Sequence, residues 1–172
     1  DPMKGTAPNM TIEENLALAY TRASKHSTPF SRAITKKSVK FFRENLARYN
    51  MGIEDRMKTK IGLLSGGQRQ VVTLLMCTLS IPKLLLLDEH TAALDPATAE
   101  RVMEITKQIV DENNITTMMI THNLNQSLTT GTRTIMLDGG EIMLDLSGRK
   151  RDEMTMDDLI KMYSAKKQKQ FD

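Results

Sequence analysis

The sequence predicts an α/β fold built around a parallel β-sheet. Two short apolar runs, Leu84–Leu87 and Ile115–Thr121, are typical of strands that are buried on both faces. The segment between them begins with Asp95-Pro96, an N-cap residue followed by proline at the first helical position, and keeps helical spacing to about Asn114. A strand–helix–strand unit of this kind requires a crossover connection, which makes its two strands parallel.

Length and composition limit the class of protein. The 172 residues are enough for one globular domain or part of one. The composition, with 40% hydrophobic and 26% charged residues, excludes wholesale disorder. One cysteine excludes a disulfide-linked scaffold and a cysteine-rich zinc site. No apolar run approaches a membrane span, and the first residues lack a signal peptide's apolar core. We therefore expect a chain that folds in a reducing compartment and does not cross a membrane unaided.

Helical spacing dominates the first third of the chain. Thr11 and Glu14 form a Thr-x-x-Glu capping box at the start of one helix, and Gly52 is a stop residue for another. Predicted helices run from about residue 12 to a break at His26–Pro29, from about Ser31 to Asn50, and from Ser65 to about Leu79.

The last third should contain a β-hairpin. Arg133–Leu137 and Glu141–Leu144 flank Asp138-Gly139-Gly140, and glycine accepts the positive φ that tight hairpin turns require. Further helices are predicted from Leu124 to about Thr130 and from Thr155 to about Tyr163, followed by a frayed Lys-rich tail.

Positive charge is concentrated early in the chain. Residues 1–62 hold 12 Lys and Arg against 6 Asp and Glu, whereas residues 63–172 hold 12 against 15. Such an excess can form a surface for phospholipid head groups, nucleic acid or an acidic partner. The lysines are spread out and lack interleaved aromatic residues, which favours a solvated helix face instead.

Two acidic residues end the first predicted strand. Asp88 and Glu89 would lie at the carboxyl edge of the sheet, where open α/β sheets bind their ligands. The hypothesis is that Asp88 faces a Mg²⁺ ion and Glu89 is the base that polarises an attacking water. On its own this pattern is weak and favours a solvated strand end over a catalytic site.

A phosphate site and a histidine complete the candidate chemistry. Ser65-Gly66-Gly67 at a helix start places a hydroxyl and backbone amides where an anion could bind, although an ordinary Ser N-cap has the same form. His122 ends the second strand, so in a parallel sheet its imidazole could lie near Glu89. His26, His90 and His122 show no metal-ligand spacing.

These motifs, in this order and spacing, closely resemble the ATP-binding-cassette (ABC) ATPase family. The resemblance implies a P-loop NTPase (RecA-like) parallel-sheet core with an α-helical signature subdomain and a C-terminal β-hairpin. The corresponding segments are Leu64–Gln68 for the signature motif, Leu84–Glu89 for the Walker B strand, Ala92–Asp95 for the D-loop, and Ile120–His122 for the switch histidine.

The chain departs from the family pattern in two ways. It contains no Gly-x-x-x-x-Gly-Lys-[Ser/Thr] loop, and the family's Q-loop glutamine would precede Asp1, so we expect an incomplete core. His90 stands where the family usually has proline, and no loss of activity is expected from it. The expected division is a helical subdomain over residues 1–80 and the C-terminal part of the ATPase core over residues 81–172.

The resemblance also implies roles for individual residues in a head-to-tail dimer of two cassettes. The signature residues would contact the γ-phosphate of the partner's ATP, and Asp95 would cross the dimer interface. Asp88 would serve the Mg²⁺ ion, with Glu89 and His122 as the catalytic residues. The implied signature contacts are Ser65, Gly66, Gly67 and Gln68.

The function implied is that of an ATP-hydrolysing transporter subunit that couples Mg-ATP hydrolysis to solute transport, with import favoured. Expected partners are a second ATPase subunit, transmembrane permease subunits and an extracytoplasmic solute-binding protein, with no direct nucleic-acid contact. The location implied is the cytoplasmic face of the membrane, and the chain alone is expected to be inactive. The alternatives are a soluble ABC ATPase in nucleic-acid or ribosome-related work and an inert or regulatory module.

Overall fold

A computed structural model describes residues 5–23 and 34–168 of the chain. The predicted break at His26–Pro29, the predicted helix start at Ser31 and the end of the Lys-rich tail lie outside the described residues. The chain divides between Ile120 and Thr121 into two compact units, which are considered separately. Within the described ranges, no helix combines the length and the apolar character that a membrane span needs.

Helices form the first part of the first unit. Thr11 and Glu14 make the predicted capping box: Glu14 N donates to Thr11 Oγ1 at 3.2 Å, and Thr11 N donates to Glu14 Oε2 at 2.7 Å. The helices are α1 (Ile12–Ala23), α2 (Lys36–Ala47) and α3 (Gly66–Thr78), with 3₁₀ turns at Glu54–Arg56 and Ile61–Leu63.

Helix α2 is shorter than the sequence predicts. It ends at Ala47 rather than Asn50, because Asn50 has φ +51° and Gly52 has φ +65°. Residues in this left-handed region cannot continue a right-handed helix. At its start, Thr35 Oγ1 accepts a hydrogen bond from Ser38 N at 3.1 Å, which supplies the N-cap.

The predicted strand–helix–strand unit is present, and its two strands are parallel. Strand β1 (Leu85–Asp88) is followed by α4 (Pro96–Asn113) and by β2 (Thr117–Ile120). The register pairs Asp88 with Ile120, so both strands end at the same edge of the sheet.

The prediction that these strands are buried on both faces is wrong. Leu85 and Leu87 are buried, whereas Leu86 is 66% exposed, Met118 55% and Ile120 54%. Side chains alternate between the two faces of a strand, so the buried and the exposed residues belong to opposite faces. Within the described residues, the sheet of this unit therefore has one covered face and one open face.

One hydrophobic core holds the first unit together. Its fully buried side chains come from the helices, from the 3₁₀ segment and from the connections between them. Burial of this apolar surface is the main favourable contribution to the stability of the unit. The largest members are Ile12, Leu16, Phe42, Leu46, Ile53, Ile61, Val71, Val72, Val102, Ile105 and Ile109.

The second unit is a β-hairpin packed with short helices. At the hairpin turn Gly139 has φ +57° and Gly140 has φ +83°, as predicted for these glycines. The buried Arg151 guanidinium donates from Nε to Thr134 Oγ1 at 2.9 Å. The elements are α5 (Leu124–Thr129), β3 (Arg133–Asp138), β4 (Glu141–Ser147), α6 (Arg149–Asp152) and α7 (Met156–Gln168).

Candidate functional site

The start of α3 is closed by a capping box within the predicted signature motif. Ser65 Oγ accepts a hydrogen bond from Gln68 N, and Gln68 Oε1 accepts one from Ser65 N, both at 3.3 Å. The Gln68 amide also donates from Nε2 to Met51 O at 3.0 Å. The amides of Gly66 and Gly67 occupy the first helical turn, where a helix has no internal acceptors for them. This end of α3 can therefore present backbone donors and a partial positive charge to an anion.

Gly67 also has a packing role that the sequence did not indicate. A Cβ atom at Gly67 would lie 2.2 Å from Thr98 Cγ2, so only glycine allows α3 to approach the start of α4 this closely. At Gly66 a Cβ atom would meet only Leu94 Cδ2, at 2.9 Å, which is the end of a flexible side chain. The starts of α3 and α4 are thus in direct contact.

Asp95 is the N-cap of α4, as predicted. Its Oδ1 accepts a hydrogen bond from Thr98 N at 3.0 Å. Hydrogen bonds from the Thr98 side chain and backbone lower the pKa of the Asp95 carboxyl below its usual value. Asp95 is exposed and Thr98 contacts Gly67, so the structure brings the predicted D-loop residue beside the predicted signature motif.

Asp88, the predicted metal ligand, and Glu89, the predicted catalytic base, are exposed at the carboxyl end of β1. Asp88 is the last residue of the strand, and Glu89 follows it. Glu89 N donates to Ile120 O at 3.0 Å, which continues the β1–β2 hydrogen bonding by one residue. Glu89 O accepts from Ala92 N at 3.0 Å, so the chain turns away from the sheet directly after Glu89.

The backbone of Glu89 adopts a conformation that is unusual for its residue type. Among the described residues other than glycine, only Asn50, Glu89 and Asn114 have positive φ, and Glu89 has φ +44°. Asparagine tolerates this region, whereas for glutamate it costs about 1–2 kcal/mol. Strain of this kind is concentrated at functional sites, and no pattern in the sequence indicated it.

His122 follows β2 and is exposed. It lies two residues beyond Ile120 along the chain and belongs to the second unit. Its proximity to Glu89, which the sequence suggests, stays a prediction.

His90, for which the sequence suggested no role, is buried next to Glu89. The His90 side chain is only 8% exposed, and its Nε2 lies 3.2 Å from Thr106 Oγ1 in the middle of α4. Burial lowers the pKa of His90 to about 4, so the ring is neutral at physiological pH. Thr106 could not be identified from the sequence, because nothing in its local pattern distinguishes it from other helical threonines.

The donor groups at the end of β1 suit Mg²⁺ better than a metal ion whose ligands all come from protein side chains. No cluster of three or more His, Cys, Asp or Glu side chains suitable for a metal occurs in the part of the chain that is described. Mg²⁺ usually keeps several waters and binds one or two carboxylates together with substrate phosphates. The exposed carboxylate of Asp88 fits that coordination.

Comparison with known proteins identifies the family. Residues 3–92 match the family model described as ABC transporter. The chain is 42% identical over 167 residues to a tyrosine transport ATP-binding protein of Clostridioides difficile, covering 95% of this chain and 64% of the relative. The chain therefore spans less than two thirds of that relative's length.

Other similar proteins include importer subunits. A methionine import ATP-binding protein of Vibrio cholerae is 32% identical, over 77% of this chain and 36% of its own. A thiamine import ATP-binding protein of Haemophilus ducreyi is 31% identical, and the match covers 80% of this chain and 60% of that relative. A structure described as an inward-facing conformation of a metal-chelate type ABC transporter has a TM-score of 0.68 at 23% identity, covering 92% of this chain and 61% of that one. This last similarity supports the fold, an α/β architecture with a parallel sheet.

Proposed function

Because this chain belongs to the ABC transporter ATP-binding family, we propose that it carries the hydrolytic half of an ATP site in a solute importer. The observation that carries the proposal is the pair Asp88 and Glu89, exposed at the end of a parallel strand, with Glu89 held in a left-handed backbone conformation. A strained residue that presents a carboxylate at the ligand-binding edge of an α/β sheet is typical of a catalytic position.

Glu89 is proposed to act as the general base. Its carboxylate accepts a proton from the water that attacks the γ-phosphate of ATP, and His122 orients that water. Asp88 is proposed to hold the Mg²⁺ ion, which neutralises phosphate charge when it is bound. Residues 1–172 alone are proposed not to hydrolyse ATP, because they include no Gly-x-x-x-x-Gly-Lys loop to hold its phosphates.

The start of α3 is proposed to serve the ATP of a second subunit. Ser65 and Gly66 are exposed there, and the amides of Gly66 and Gly67 are suited to an anion. Asp95, exposed beside them, would lie in the same interface. Gln68 would contribute less directly to phosphate binding, since its side-chain amide already bonds Ser65 and Met51. Two full-length subunits arranged head to tail would complete each other's sites.

Import is the proposed direction of transport. The methionine and thiamine relatives are named as import proteins, and the 42% identical relative is named for tyrosine transport. The proposed partners are transmembrane permease subunits, which the chain would contact at the cytoplasmic face of the membrane, and a solute-binding protein on the other side. Solute selectivity would belong to those partners.

Substitution of Glu89 by glutamine tests the proposal. In the full-length transporter ATPase, Glu89→Gln should reduce steady-state ATP hydrolysis by at least about 100-fold, since the amide cannot accept the proton. ATP binding, measured by equilibrium titration, should be retained. Glu100→Gln, an exposed glutamate in α4, is the matched control and should hydrolyse ATP normally. Hydrolysis by Glu89→Gln within a few-fold of wild type would contradict the assigned role.

A further inference from the structure

Glu89 lies between two points where the chain is held. On its N-terminal side the β1–β2 hydrogen bonding continues through Glu89 N to Ile120 O. On its C-terminal side the next residue, His90, is buried and reaches Thr106 of α4. A left-handed glutamate persists only where its surroundings fix the backbone on both sides. The contact between His90 and Thr106 is therefore placed to maintain the conformation of Glu89.

The direction of the His90–Thr106 hydrogen bond follows from the partners of Thr106. The Thr106 hydroxyl donates its single proton to Val102 O, at 2.7 Å in α4. It can then only accept from His90, so His90 Nε2 carries a proton and donates it.

We propose that His90 is a positioning residue for the general base: its Nε2–H donates to Thr106, and this bond fixes the turn at Glu89 that presents the carboxylate. The inference rests on the proposed role of Glu89 in hydrolysis. His90 is buried, so its proposed effect on Glu89 is exerted through the adjoining backbone. Loss of the bond should lower the rate of the chemical step more than it lowers the affinity for ATP, because a misplaced base affects only the transition state.

A purely space-filling role for His90 makes a different prediction. If burial were all that mattered, an apolar side chain of similar length would serve at least as well as histidine. His90→Leu fills the position without a donor, whereas His90→Gln retains an N–H at a comparable distance from the backbone. On the other side, Thr106→Val removes the acceptor with little change in volume, and Thr106→Ser keeps it.

The experiment compares these variants in the full-length transporter ATPase. We expect His90→Leu and Thr106→Val each to lower kcat by about tenfold with the KM for ATP within twofold of wild type. The double variant should be no slower than either single variant, because both remove one bond. His90→Gln and Thr106→Ser should retain kcat within about threefold of wild type. Thr78→Val is the matched control. Within the described ranges, the Thr78 hydroxyl bonds only backbone carbonyls of its own helix, among them Leu74 O at 2.8 Å, so its loss should leave kcat unchanged.

Two results would overturn the inference. The first is a normal kcat in both His90→Leu and Thr106→Val; the second is a double variant whose kcat falls by the product of the two single effects. Thr106→Val retains the packing of the core, so it remains informative if a His90 variant does not fold. Glu89→Gln, measured in the same assay, separates the two proposals. If it abolishes hydrolysis while the His90 and Thr106 variants are normal, only the positioning role fails.

Discussion

The start of α3 and the end of β1 are both predicted to meet ATP, yet they are built in opposite ways. At the start of α3, the residues of the predicted motif also stabilise the fold: Ser65 and Gln68 close a capping box, and Gly67 allows close contact with Thr98. At the end of β1, Glu89 adopts a backbone conformation that costs stability.

Function and stability are therefore combined at the start of α3 and opposed at the end of β1. Ser65, Gly67 and Gln68 serve the fold even when no ligand is bound, so their substitution should destabilise the chain. Glu89 contributes a reactive group at a conformational cost, so its replacement should remove activity and can increase stability. Activity and stability measured on the same variants can test this contrast.

The largest effect on stability is expected at Gly67. Gly67→Ala places a Cβ atom 2.2 Å from Thr98 Cγ2, and the resulting overpacking should lower the free energy of unfolding by about 2 kcal/mol. Urea unfolding measures this change. Gly66→Ala is the control with little effect, since its Cβ meets only the mobile end of Leu94. Thr98→Ser removes the clashing methyl group, so the double variant with Gly67→Ala should recover stability; failure to do so would contradict the packing role.

A smaller effect of opposite sign is expected at Glu89. Glu89→Gly relieves the left-handed strain but adds backbone freedom to the unfolded chain, so the free energy of unfolding should rise by about 0.5–1 kcal/mol. ATP hydrolysis should be lost in the same variant. Glu100→Gly lies inside α4, where glycine should instead destabilise by about 1 kcal/mol. A loss of stability in Glu89→Gly would contradict this expectation.

The smallest effect concerns the pH dependence contributed by Asp95. Hydrogen bonds from Thr98 lower its pKa in the folded chain, so the unfolded chain binds the proton more readily. The stabilisation that ionised Asp95 gives to the folded chain is therefore fully present at pH values above its ordinary pKa of 3.8. It is lost as the pH falls through the lower pKa of the folded chain. Asp95→Asn keeps a capping side chain but does not titrate. Between about pH 5 and pH 3, the urea midpoint of wild type should fall slightly more than that of Asp95→Asn. Identical falls would show that Asp95 does not contribute to the pH dependence of stability.

Local features of the fold could be predicted from the sequence, and contacts between distant segments could not. The caps at Thr11 and Asp95 and the hairpin turn at Gly139-Gly140 were predicted, because each depends on residues within one turn. For the same reason a Ser65 N-cap could be named from the sequence, as the alternative to a phosphate site. The contacts of Gly67 with Thr98 and of His90 with Thr106 depend on how α3, β1 and α4 pack, which periodicity does not report.

Element boundaries and burial show the same limit. Helix α7 continues to Gln168, well past Tyr163, because the residues that follow include good helix formers and no breaker. The uniform apolar composition of Leu84–Leu87 favoured a strand covered on both faces. Whether a second layer covers it depends on other parts of the structure, and Leu86 is in fact exposed.

The open face of the β1–β2 sheet has a consequence for how this chain behaves at high concentration. Among the described residues, β1 and β2 pair only with each other, so each strand has a free edge beside exposed Leu86, Met118 and Ile120. An apolar run such as Leu84–Leu87, in a strand with a free edge, is a template for pairing with strands of other molecules. Self-association through Leu84–Leu87 should therefore compete with correct folding whenever this face is left uncovered. Substitutions that raise the free energy of unfolding but leave this edge unchanged would not by themselves prevent aggregation.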